Sequence, residues 1–357
     1  MCFFKNSRIK ISIIKTKTMK NLFKIISIVI ITTIFSCSKD ETAPTPPPVI
    51  PKVETVYVGG SQIINGFEKA TIWKNGIAEL LATEADNDSR VNSVCVVNND
   101  VYAVGFENVS GDIFAALWKN GTKTTLSQFT SEAFSVSVKF NVAYIVGRSN
   151  NKATIWLGDL LPFEFEELNS TTPSVAKSIF LTDNGTRING LNIAGQVGQN
   201  AWFFFNSSIN ETIFTNNSKA ESIFVRGNDV FVAVNNSFSG ITTASLLKNQ
   251  VLQNTIASGT AMLSVYGDEQ NIYAVGSTNP LSSSSRATIW ENYVPKPLST
   301  KFSLASSVFV INKVVYVAGL EYDSSTAFFN ATLWINGVVK TLSTNYCNVK
   351  SVFVTVK

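Results

Sequence analysis

Histidine is absent from all 357 residues. No imidazole is therefore on hand as a general base, a triad member or a metal ligand. Charge is scarce as well: Asp, Glu, Lys and Arg make up 15% of the chain, against 45% apolar residues. That balance excludes a disordered chain. Only four cysteines occur, none in a Cys-x-x-Cys pair, so neither a zinc knuckle nor a thioredoxin-type redox pair is offered. A Gly-rich phosphate loop is also missing. Asp86-Asn87-Asp88 offers oxygen ligands but lacks the D-x-D-x-D-G order and the later Glu of a calcium loop. No metal and no cofactor are predicted.

The formal charge of +4 belongs to one end of the chain. The first 36 residues hold Lys5, Arg8, Lys10, Lys15, Lys17, Lys20 and Lys24 and no acid. Setting those seven aside leaves 22 basic against 25 acidic residues. Basicity of this kind marks a targeting segment, and no nucleic-acid partner is predicted. Met19 reads as the true start, with Lys20 and Lys24 as a positive n-region and Ile25 to Phe35 as an apolar run of 11 residues. Such a run is too short to span a bilayer as a helix and fits a cleaved signal. Residues 1–36 are read as signal peptide.

Ile34-Phe35-Ser36-Cys37 resembles a lipoprotein lipobox. The resemblance implies cleavage before Cys37, diacylation of its sulfur, and the membrane as a partner through that lipid. Lys39-Asp40-Glu41 resembles the export signal of Bacteroidota-type surface lipoproteins, which implies the outer leaflet of the outer membrane and display on the cell surface. Residues 37–55 are read as a tether. Five prolines in Thr42–Pro51 favour polyproline II, an extended spacer of roughly 30 Å at 3.1 Å per residue.

A chain of this length exceeds the size at which one core stops growing, and beyond residue 55 it is built as a repeat. One element recurs as VYVGG (Val56–Gly60), VYAVG (Val101–Gly105), AYIVG (Ala143–Gly147), LNIAG (Leu191–Gly195), VFVAV (Val230–Val234), IYAVG (Ile272–Gly276) and VYVAG (Val315–Gly319). A second comes after each, as in ATIWKNG (Ala70–Gly76), and a third is SVCV at Ser93, SVSV at Ser135, SIFL at Ser178 and their later copies. The runs are short, β-branched or aromatic, and bounded by Gly, Asn and Asp, so they read as strands. Asn75-Gly76, Asn120-Gly121 and Asn336-Gly337 signal two-residue hairpins that lead to a fourth strand. Four strands in about 40–45 residues are the unit of a propeller blade. Naming the strands a (SVFV), b (VYVAG), c (ATLWKNG) and d, the chain starts on strand b and ends on a lone strand a at Ser351. The fold class predicted is all-β: a seven-bladed propeller over residues 56–357, a monomer whose first blade the C-terminal strand completes.

These motifs resemble the HAF repeats and the similar VYVAG…ATLWKNG repeats of bacterial surface lipoproteins. The resemblance implies architecture and says little about activity. The column Trp73, Trp118, Trp156, Phe204, Leu247, Trp290 and Trp334 sits inside a strand beside a turn and reads as core. Cys95 and Cys347 occupy different offsets in the repeat, and nothing in the spacing pairs them.

In such a blade the a–b and c–d turns share one face, and the b–c and d–a loops the other. The second set varies in length and content, and function tends to live on variable loops over a rigid frame. The ligand candidates are therefore Asp86, Asp88, Arg90, Glu107, Asp112, Arg148, Asn150, Arg286, Glu321, Tyr322, Asp323 and Tyr346. No catalytic residue is assigned. The close carboxylates Glu164, Glu166 and Glu167 share one segment, which does not supply two acids on either side of a glycosidic bond. The function predicted is a non-catalytic module for a glycan or protein ligand. The alternatives are a propeller glycan hydrolase or lyase, whose acids would have to converge from several blades on the channel mouth, and a structural envelope component.

Overall fold

The computed structural model describes residues 53–81, 86–158, 163–164, 172–205, 208–214, 217–280 and 282–357. Cys37, the signal segment, the proline tether and Glu166-Glu167 lie outside them.

Local chemistry sets the hairpins first. At the c–d turns Asn75, Asn120 and Asn336 take φ of 53°, 50° and 47°, each followed by a glycine at positive φ. Asn and Gly tolerate this region best, and the primed turn matches the twist of the strands it joins. Blades 5 and 6 replace the glycine with Gln250 and Tyr293 yet keep Asn249 and Asn292. The reason lies in the asparagine side chain. The carbonyl oxygens of Asn75, Asn120, Asn249, Asn292 and Asn336 each accept the N–H of the first repeat residue of strand b, at 2.8–2.9 Å.

The strands form seven separate four-stranded antiparallel sheets, each in the order a-b-c-d. Blade 1 joins the C-terminal strand a (Cys347–Val356) to strand b (Glu54–Ile64), strand c (Phe67–Lys74) and strand d (Ile77–Leu80). Strand a of blades 2 to 7 spans Ser89–Val97, Ser131–Lys139, Ser174–Asp183, Ser218–Arg226, Thr260–Gly267 and Ser303–Ile311. Each strand a packs on strand a of the next blade, so the seven ring a central channel.

The core is divided in the same way. Seven apolar clusters each straddle two neighbouring blades, and each receives the strand-c column residue of one blade against the blade before it. Trp156 lies against Tyr102 and Leu117, Trp334 against Tyr273 and Ile289. Trp73, Trp118, Trp156, Trp290 and Trp334 are 0–1% exposed, so the column is core, as its place in the strand predicts. Cys95 and Cys347 are both free and buried, in different clusters.

Two rings of hydroxyls tie the blades together. An innermost strand has one unpaired edge, and its N–H groups need partners. Ser351, Ser93, Ser135, Ser178, Ser222, Ser264 and Ser307 each accept the N–H of strand a in the next blade, from Val94, Val136, Ile179, Ile223, Val265, Val308 and Val352, at 3.1–3.3 Å. Four residues earlier in strand a, Ser89, Ser131, Ser174, Ser218, Thr260 and Ser303 accept an alanine N–H of strand c in the preceding blade. The seventh place in this outer ring is Cys347, whose thiol takes the Ala331 N–H and donates to the Phe329 carbonyl at 3.2 Å.

Between the two rings every strand a carries a β-bulge. The extra residues are Asn92, Phe134, Lys177, Glu221, Leu263, Ser306 and Lys350. The bulge drives a strand-a carbonyl against strand b. A Cβ placed on Gly105 would stand 1.8 Å from the Arg90 carbonyl oxygen, and one on Gly319 2.0 Å from that of Leu304. In six blades a glycine of strand b meets this carbonyl, whereas blade 5 keeps the bulge with Val234 in that place.

Candidate functional site

Charged side chains gather where the bulges meet the channel, at its b–c/d–a end. Arg90, on strand a of blade 2, makes a bidentate pair with Glu68 of blade 1 (Nε to Oε1 2.7 Å, Nη2 to Oε2 2.6 Å) and lies 5.3 Å from the centre of the Phe106 ring. The Ser61 hydroxyl donates to the same carboxylate at 2.5 Å. The bulge residue Asn92 donates to Glu132 of blade 3 at 3.0 Å, and Arg148 stands 3.8 Å from that carboxylate. The bulge residues Lys177 of blade 4 and Glu221 of blade 5 pair directly across their interface at 2.5 Å. Lys350, the bulge residue of blade 1, senses Arg90, Glu68, Glu132 and Glu221. Carboxylates from blades 1, 3 and 5 therefore converge on one mouth.

Lys350 is held below the usual lysine range. The blade walls strip water from the ammonium, and the positive charge of Arg90 adds to the effect; the three carboxylates work against it. The side chain still meets solvent through the open mouth.

Behind the serine ring the channel is a cavity of about 380 Å³. Phe180, Phe224, Tyr266, Phe309 and Phe353 form a continuous belt of rings around it, with successive centroids 4.7–5.2 Å apart. Cys95 and Ser137 take the same place in blades 2 and 3 and leave the belt open.

The loop residues singled out from sequence do not form one site. Arg90 and, through Glu132, Arg148 reach the mouth. Asp88 instead accepts the Glu68 N–H at 2.7 Å and fixes the start of strand c. Glu107 is 3% exposed and paired with Lys123, in the wall of a separate hollow of about 480 Å³ with Val109 and Phe114. Asp86 and Asp112 are exposed beside their turns. Asn150 turns the chain at φ 48°, and Arg286 donates to its own loop at Ser285 O, 2.8 Å. Glu321 accepts from Ser299 and Lys301 at 2.5 and 2.7 Å. Tyr322 packs with Phe302 and Phe329, and Tyr346 stands edge-on to Phe328 at 6.2 Å. Hydrogen bonds from Ser325 hold Asp323 below the usual carboxylate range.

Glu68, Asn92, Glu132, Lys177, Glu221 and Lys350 were not among those candidates. For Asn92, Lys177, Glu221 and Lys350 the signal is present in the sequence: strand a opens with Ser, Thr or Cys, a serine comes four residues later, and the residue just before that serine changes between charged, amide, hydroxyl and apolar from blade to blade.

No family model matches the chain, and no curated protein matches it. Among solved structures it is similar to a nidogen/laminin complex, at 9% identity and TM-score 0.40 over 85% of this chain and 98% of that one. Kuenenia stuttgartiensis hydrazine synthase is similar at 10% identity and TM-score 0.47, over 86% and 47%. Trypanosoma rangeli sialidase in complex with sialic acid is similar at 9% identity and TM-score 0.36, over 83% and 56%. Likenesses this distant concern the fold alone; the protein is a seven-bladed β-propeller closed by its C-terminal strand.

Proposed function

We propose that the chain is a lipid-anchored surface protein whose propeller is a non-catalytic binding module, taking a glycan or protein ligand at the channel mouth of the b–c/d–a face. The observation that carries this reading is the convergence of Glu68, Arg90, Asn92, Glu132, Lys177, Glu221 and Lys350 from five blades on one opening. Preformed pairs held by rigid strands suit recognition, because little order is lost on binding. The anchor rests on the Cys37 lipobox, and the kinship with HAF-like surface lipoproteins rests on the VYVAG and ATLWKNG motifs. Val53 and Lys357 exchange backbone hydrogen bonds at the a–b end of blade 1. Val53 therefore lies on the face opposite the mouth.

A second reading, a glycan hydrolase or lyase, draws on the same three carboxylates. Each is already an acceptor for Arg90, Asn92 or Lys177, whereas a general acid must hold a proton and give it up. That arrangement favours binding.

The test is a glycan and protein ligand screen on the full chain, repeated with E132Q/E221Q and with K139A/D183A on the opposite face. Binding lost only in the first variant supports the mouth. Binding indifferent to E132Q/E221Q sinks it, and turnover of the bound glycan moves the protein to the second reading.

A further inference from the structure

Among the described residues the mouth charges pair off, except for Lys350 and Lys219. Arg90 is matched by Glu68, Lys177 by Glu221, and Arg148 with Asn92 by Glu132. Among the described residues Lys350 Nζ has neither an ion pair nor a hydrogen bond. It is the bulge residue of the strand that completes blade 1 and is exposed at the channel mouth, where charges on blades 1, 2, 3 and 5 act on it. Lys219, exposed near the start of strand a in blade 5, is a further cation without an ion pair on this end of the channel.

Lys350 is an exposed ammonium at the rim of a charged mouth, and no carboxylate of the protein is bonded to it, so it is open to an anion that enters there. Three carboxylates stand around it, so a dianion such as phosphate meets about twice the repulsion of a single negative charge. Lysine is also a compact point charge, without the planar fork that selects phosphate or carboxylate by two parallel bonds. The rest of the rim alternates donors (Arg90, Asn92, Lys177) with acceptors (Glu68, Glu132, Glu221). Sugar hydroxyls both donate and accept, and neighbouring hydroxyls on one ring match such an alternation better than a peptide backbone does.

We propose that the channel mouth binds an acidic glycan, with the carboxylate of a uronate residue seated on Lys350 and its hydroxyls on the surrounding pairs. The proposal rests on the mouth being the ligand site and names what is bound there. The bound carboxylate supplies the missing counter-charge and raises the affinity of Lys350 for its proton.

Tri-galacturonate and its neutral methyl ester are the probes, titrated calorimetrically into the full chain at about 0.15 M salt, where long-range attraction is screened. The acid is expected to bind at least about tenfold more tightly than the ester. K350Q should bring the acid down to the level of the ester, while K350R keeps most of the preference. K350Q should melt at or above the wild-type temperature, which separates lost recognition from lost fold. With lysines dimethylated with 13C, the Lys350 resonance should titrate at higher pH once the acid is bound. Equal binding of acid and ester, or equal loss of both in K350Q, overturns the proposal. If both sugars bind equally and E132Q/E221Q abolishes both, the mouth remains the ligand site and the role of Lys350 falls. If neither sugar binds, or a peptide from the ligand screen occupies the mouth in their place, the acidic glycan is wrong, and the screen alone decides on the mouth.

Discussion

The hydroxyl of Ser351 accepts the N–H of Val94 at 3.1 Å across 257 residues of chain. In turn the Val352 N–H donates to Ser307. One C-terminal strand therefore supplies both missing links of the serine ring and the inner strand of blade 1. A chain ending at Lys350 should lose cooperative unfolding, seen as a broad or split calorimetric transition. S351A removes one of seven equivalent bonds and should cost only about 1 kcal/mol, the usual net worth of such a bond. A truncated chain that melts like the full one would mean that the ring does not need closing.

Cys347 holds a place that six other blades give to serine or threonine. C347S should therefore be neutral to about 1 kcal/mol stabilising, since a hydroxyl accepts the Ala331 N–H better than sulfur does. C347A should destabilise by about 1–2 kcal/mol, because it leaves that buried N–H without an acceptor. Urea midpoints of the two variants compare them directly. If they are equal, the outer ring contributes no hydrogen-bond energy at this position.

At Gly105 and Gly319 the strand-a carbonyl leaves no room for a methyl group, although blade 5 places Val234 at the equivalent position. G105A and G319A each set a Cβ about 2 Å from a backbone carbonyl oxygen, and backbone cannot swing aside as a side-chain end can. Each should cost about 3 kcal/mol, the upper part of the range for overpacking. G111A, at an exposed turn with open space around it but φ of 96°, should cost about 1 kcal/mol through strain alone. Thermal melts that rank G111A as the worst of the three would contradict the bulge argument.

Burial pushes the thiol of Cys95 up to about 11 and that of Cys347 up to about 12, from an ordinary 9.0. Above pH 9 the unfolded chain gives up these protons while the folded chain keeps them, so stability is present below pH 9 and falls as pH rises toward 11. The slope is roughly 1.4 kcal/mol per pH unit for each thiol. Lys350, held low, works in the opposite sense, and Tyr266, Tyr273 and Tyr316, all raised, add to the loss beyond pH 10. The comparison is therefore wild type against C95S/C347S between pH 8.5 and 10. The double variant should show the flatter profile in guanidinium melts.

The architecture was legible because a propeller writes the same packing problem seven times. Strand type, hairpin turns, the tryptophan column and the orphan strand at Ser351 all repeat, and the structure has each of them. The site was harder to read for a physical reason. Loop charges such as Asp112 and Arg286 lie around the circumference, where blade spacing keeps them apart. Most of the charges that do meet, Glu221 and Lys350 among them, sit inside strand a, a segment that reads as pure framework. Lys177, Glu221 and Lys350 are bulge residues there. The trace of the bulge in the sequence is the Ser-x-x-x-Ser spacing, which becomes informative once both serines are known to bond neighbouring blades.

The exchange of backbone hydrogen bonds between Val53 and Lys357, at 3.1 and 3.0 Å, has a consequence for how the ring can be cut. Because both ends lie in one ladder, a short linker could join them, and new ends could be opened at another a–b turn, such as Asn141 or Asn312. Every blade would keep its four strands, and a different strand a would become the one that closes the circle. The structure has a seam but no first blade, so the order in which the chain visits the blades is a circular permutation of one architecture.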